Sequence, residues 1–224
     1  MLIPLTALLL IAVPIAFNVT FFLLQRAFAY PDILRQPTEI ILRRFKEGGA
    51  PLRRLWYAFA FSAVLFMPVP VLVHHAFQPD APWYLAVGTV IGVLAGVFQT
   101  LGLIRWPFLV PFLAEIYTDP KSTQAMRDSV SVTFQAFHRY AGVAIGEHLG
   151  FLFTSTWTVL LCVAIIQTSL VNPLFGWLGI LPAIGVLAGI FEETGFKAAG
   201  AINAISYILW SVWLIAIGIA FLLL

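Results

Sequence analysis

The sequence predicts an all-α, polytopic membrane protein with six transmembrane helices and both termini outside the cytoplasm, on three observations. Of its 224 residues 61% are hydrophobic and only 10% are charged, a balance that a soluble domain of this length does not sustain. Six apolar segments, at about 1–24, 55–77, 84–104, 148–170, 177–196 and 199–224, approach or exceed the roughly 20 residues that span a hydrocarbon core of about 30 Å. All 12 Lys and Arg residues then fall on one side of the bilayer. A β-barrel would need shorter, alternating segments. Only two substantial loops, 25–54 and 105–147, and three tight turns remain, so residues 1–224 read as a single six-helix transmembrane domain.

The first segment has no basic residue ahead of its apolar run and Arg26 behind it, the charge order of an uncleaved helix with its N-terminus outside. Ala27-Phe28-Ala29 is therefore not expected to be a signal-peptide cleavage site. The first loop holds Arg26, Arg35, Arg43, Arg44, Lys46, Arg53 and Arg54, and its stretch 38–47, TEIILRRFKE, reads as a short basic amphipathic helix. Helices two and three follow, joined by an outer turn whose only formal charge is Asp80. Trp83, Tyr84 and Trp177 mark the outer interface; Trp56, Tyr57 and Trp106 mark the inner one, as aromatic belts do. The second loop carries Arg105, Lys121, Arg127 and Arg139. There Asp119-Pro120 reads as a helix N-cap with Pro at the first helical position, and Met126, Val130, Phe134, Phe137 and Ala141 recur at spacings of four and three. Lys197 sits between helices five and six. Positive charge collects on the cytoplasmic side, and amphipathic helices lie in the headgroup plane, so the expected partners are the bilayer and anionic lipid headgroups. No spacing suggests a nucleic-acid module.

Residues 91–103, IGVLAGVFQTLGL, and 184–196, IGVLAGIFEETGF, share eight identities over 13 positions at an offset of 93. The same offset carries Gly49 onto Gly142 and helices two and three onto helices four and five. The expectation is a parallel internal repeat, about 32–106 and 125–199, with its pseudo-axis along the membrane normal. Glycines at Gly88, Gly92 and Gly96, at Gly142, Gly146 and Gly150, and at Gly185 and Gly189 form stripes that let helices approach closely; they predict contacts rather than chemistry.

Ionisable groups inside a span are costly and mark functional candidates. Glu192 lies 15 residues beyond Trp177, about 22 Å along a helix and so short of the inner boundary, and Glu193 is next to it. Their counterparts one repeat earlier are Gln99 and Thr100. At similar depth are Arg105, Glu147, His148, Asn203 and Tyr207, and Trp157 and Trp210 extend the set upward, so these residues define an aromatic, polar-ended candidate pocket open to the cytoplasm. The same groups could equally bond the helices to one another. His74 and His75 lie at the outer end. His148 with Glu147, Glu192 or Glu193 has the donor chemistry for a metal ion but no diagnostic spacing, and only His138 and His148 come near matched depth for haem. No cofactor is expected. Walker, GxSxG and Cys-cluster motifs are absent, and the lone Cys162 cannot form an intramolecular disulfide.

The stretches RWPFLVPFLAEIY at 105–117 and FHRYAGVAIGEHLG at 137–150, with Trp157 beyond them, resemble a large bacterial family of six-helix integral membrane proteins catalogued only as a domain of unknown function. The resemblance implies a multi-pass protein of the bacterial inner membrane and assigns no catalytic residue. The leading functional expectation is a non-enzymatic protein that binds, and in its fuller form translocates, a small amphipathic molecule or ion; translocation would favour a homo-oligomer, since six helices alone have few moving parts. A metal- or His/carboxylate-dependent membrane enzyme acting on a lipid-soluble substrate, and a structural or sensory subunit docking a partner through its amphipathic helices, are the alternatives.

Overall fold

The computed structural model describes residues 2–168 and 170–224; residues 1 and 169, which fall in the expected first and fourth segments, lie outside the described residues. The chain is helical, with no strand among the described residues, and six of its helical stretches are long and apolar enough to cross a membrane. These are Leu2–Phe28, Thr38–Ala76, Trp83–Thr118, Gln124–Thr168, Leu174–Thr194 and Ala199–Leu222. The first is one helix, α1 (Leu2–Phe28). The second comprises α2 (Thr38–Phe66) and α3 (Pro68–Ala76), and the third α4 (Trp83–Leu103) and α5 (Arg105–Thr118). The fourth joins α6 (Gln124–Phe137) through a π-helical stretch (His138–Leu149) to α7 (Gly150–Thr168). The fifth is α8 (Leu174–Ala188) with a 3-10 extension (Gly189–Thr194), and the sixth is α9 (Ala199–Leu222).

Each span packs on the next in chain order, and α9 closes back on α1, so the six form a ring. Large side chains plug its middle: Phe66, Trp157 and Trp210 are nearly or fully buried and meet edge to face or tilted. Glycines set the close approaches, as their spacing predicts. A Cβ on Gly92 would come within 2.6 Å of Pro70 and Trp157, and one on Gly146 within 2.8 Å of the Gly102 Cα, so α4 and the π-helical stretch touch backbone to backbone.

The structure revises the expected loops. The basic stretch 38–47 runs on into the second span through a kink at Gly49, whose φ of 55° only glycine adopts at little cost. Its apolar face, Ile41, Leu42 and Phe45, is buried. Residues 105–118 are a helix despite two prolines. Pro111 has no N–H for the carbonyl of Pro107 four residues earlier, and Nε of Arg53 donates to that carbonyl instead, at 2.8 Å. Asp119 does not cap α6. Its carboxylate accepts from the Lys121 amide at 2.8 Å, closing a turn over Pro120, and the cap is Thr123, whose hydroxyl accepts from the Met126 amide.

Candidate functional site

The basic segments meet at one end of the ring. Lys46 of α2 pairs with Glu115 of α5, and Arg35 of the loop after α1 lies 3.8 Å from Glu192 after α8. Beneath this basic end lies Arg105, the first residue of α5 and one of the few buried polar side chains, 9% exposed. Its position follows from the break between α4 and α5. The Arg105 guanidinium returns one turn to donate to the Gly102 carbonyl at the C-terminal end of α4, where a cation complements the helix dipole. The guanidinium lies flat on Gly142, where a Cβ would come within 2.4 Å of Nη2. Nη2 also donates to Nδ1 of His138 at 3.4 Å, which requires that nitrogen to be an acceptor, and the His138 ring stacks on Phe134. His138 and Gly142 both belong to the π-helical stretch, a rare geometry that is frequent at functional sites.

On one side of Arg105 is an aromatic cluster. Trp106 stacks on Trp56 with centroids 4.3 Å apart, and Phe28 and Tyr30 meet Trp56 edge-on. Trp56 is fully buried, and its indole N–H is the one buried side-chain polar atom without a hydrogen-bond partner among the described residues. Burial, reinforced by Glu147, raises the Tyr30 phenol above its usual value, so it remains an O–H donor at neutral pH. Glu147 is within electrostatic reach of Arg105, Tyr30, Tyr207, Glu192 and Glu193 yet, among the described residues, forms no ion pair within 4.0 Å.

From this centre a line of rings rises into the bundle. Tyr30 lies 6.2 Å from Phe59, Phe59 4.7 Å from Phe17, and Phe17 6.4 Å from Tyr207. It ends at a cavity of about 20 Å³, room for one water, lined by Ser62, Gln99, Tyr207, Trp210 and Ser211 among others. Gln99 donates to Thr154 at 2.9 Å and the Trp210 indole to Thr158 at 2.8 Å, so the polar groups around the cavity are held by α4, α7 and α9.

Of the residues expected to form the pocket, Arg105, Glu147, Trp157, Tyr207 and Trp210 do gather around this axis. The others do not. His148 is exposed on the outside of the π-helical stretch. Asn203 is spent on the Val186 carbonyl, tying α9 to α8. Glu192 and Glu193 are exposed, because α8 stops at Ala188 and the longer rise per residue of the 3-10 turns carries both to the basic end. There the Glu192 carboxylate rests near Gly200 in the first turn of α9, where a helix N-terminus favours negative charge. No group of three or more His, Cys, Asp or Glu among the described residues is placed to hold a metal ion, so His148, Glu147, Glu192 and Glu193 are not assembled as one. Tyr30, Trp56 and His138 belong to the site although spacing did not select them. In the sequence Trp56 reads as part of the inner aromatic belt and His138 as a histidine near haem depth, and Tyr30 carries no signal.

Fold and site together define a multi-pass, all-α membrane protein: six spans in a ring around an aromatic axis, with a buried arginine beneath its basic end. The chain belongs to the family described as a domain of unknown function, DUF4386, which matches residues 5–218. No curated protein and no solved structure matches it.

Proposed function

We propose that this chain is a membrane-embedded binding protein that takes a small amphipathic molecule or an ion from its basic end. One observation carries the reading. A guanidinium is buried at the foot of an aromatic axis with no carboxylate in contact, although an acid, Glu147, lies within electrostatic reach. A purely structural network closes such a pair, because an unpaired buried charge is costly. The cavity holds only one water, so a larger ligand enters by parting Phe17 and Tyr207. The basic end is proposed to face the cytoplasm of a bacterial inner membrane, which makes the site cytoplasm-facing.

Native mass spectrometry of the gently extracted protein tests this. The wild type is expected to carry a stoichiometric small-molecule or lipid mass that Tyr207→Ala and Arg105→Gln lose and His148→Ala keeps. A wild type that flies bare, and gains no mass with added lipids or ions, would reduce the centre to helix-packing glue.

A further inference from the structure

The basic-end centre has more hydrogen-bond donors than acceptors. Arg105 offers five N–H groups in a planar fork, and among the described residues only the Gly102 carbonyl and Nδ1 of His138 accept from it. The Trp56 indole N–H, in the cluster that Arg105 adjoins through Trp106, has no acceptor among the described residues. The Tyr30 hydroxyl, whose ring stands edge-on 5.0 Å from that of Trp56, is an O–H donor at neutral pH, as any phenol is, and makes no hydrogen bond among the described residues. The one nearby acid, Glu147, touches none of these donors through an ion pair or hydrogen bond.

An acceptor with several lone pairs and a negative charge has the chemistry that these donors lack; a cation offers them no lone pair and adds to the charge of Arg105. We propose that the ligand's head is an oxyanion, a carboxylate or phosphate, held by Arg105, Trp56 and Tyr30, with its apolar part along Phe59 and Phe17. This rests on the reading of the centre as a ligand site and names the ligand class. Glu147 then acts against the ligand: it supplies the distant counter-charge of the empty site and repels the bound head, so its removal tightens binding. Such a head is borne either by a soluble amphiphile or by a bilayer lipid.

The test uses the full chain in phosphatidylcholine nanodiscs. Decanoate, decyltrimethylammonium and phosphatidylglycerol are titrated in turn, with intrinsic tryptophan fluorescence and native mass as readouts. Saturable one-to-one binding of decanoate or phosphatidylglycerol is expected, and whichever binds more tightly identifies a soluble or a lipid source. Trp56→Phe, which keeps the ring and deletes the donor, should weaken it about tenfold or more, as should Arg105→Lys, which keeps the charge and loses the fork. Glu147→Gln should tighten it. Preference for decyltrimethylammonium, or weaker anion binding in Glu147→Gln, overturns the anion assignment and leaves the binding protein standing. Anion binding indifferent to Trp56→Phe and Arg105→Lys places the head elsewhere and overturns the site. Binding of no amphiphile of either sign overturns the oxyanion-headed ligand, and no bound mass with added ions either defeats the binding protein as well.

Discussion

Gly142 and Gly146 sit one turn apart and look interchangeable in sequence, yet what each one faces differs. A methyl on Gly142 meets the Arg105 guanidinium, the far end of a flexible side chain, whereas a methyl on Gly146 meets the Gly102 backbone. Gly146→Ala should therefore force α4 and the π-helical stretch apart and cost on the order of 1–3 kcal/mol, as overpacking does. Gly142→Ala should cost less, but it should push the guanidinium off its seat and impair ligand binding. Thermal unfolding and ligand titration on the same two proteins separate these effects; equal stability losses would show that Arg105 is as rigid as backbone. The contrast also shows what the sequence held. Arg105, Glu147, Tyr207, Trp157 and Trp210 were recognisable because polar and aromatic groups are conspicuous against an apolar run. Trp56 and Trp106 read as a membrane-interface belt, since nothing in their spacing reveals that they stack on each other. Glu192 and Glu193 read as deeper than they lie because the α-helical rise from Trp177 holds only as far as Ala188.

The six spans were legible because twenty apolar residues in a row have few other uses. The internal structure of the two basic loops was not. Residues 105–118 read as part of a loop, and the tertiary contact from Arg53 shows how a helix there satisfies the carbonyl that Pro111 frees. Arg53→Met should leave that carbonyl buried and unpaired, at about 1–3 kcal/mol, with the damage concentrated in residues 105–118. Hydrogen–deuterium exchange should show faster exchange there than in α4 of the same variant; uniform loosening of the bundle would mean that Arg53 does not support α5 specifically. The π-helical stretch was equally invisible, since GVAIGEHLG has no marker of a widened turn. It carries two glycines, Gly142 and Gly146, in an uncommon helical geometry, so residues 138–149 should exchange faster than α7 in the wild type. Bound ligand should slow that exchange, because Gly142 and His138 both hold Arg105 in place.

Closing six spans into a ring in chain order makes neighbours antiparallel and puts both termini at the end opposite the basic residues, an arrangement with two ways to sit in a bilayer. Charge decides between them. Arg35 and Lys46 meet their partners at the basic end, while the α3–α4 turn with Asp80 lies at the other. Each Lys or Arg near an anionic surface contributes about 1 kcal/mol. The Lys and Arg residues gathered on one side favour the proposed orientation, with the basic end in the cytoplasm, and Asp and Glu contribute little to the choice. With Cys162 changed to Ser, a cysteine replacing Asp80 should react with a membrane-impermeant maleimide applied to intact bacterial spheroplasts, and one replacing Lys121 should react only after permeabilisation. The reverse pattern would put the basic end outside. Arg105 would then be reached from the outer side, and a ligand drawn from the cytoplasm would have no route to it.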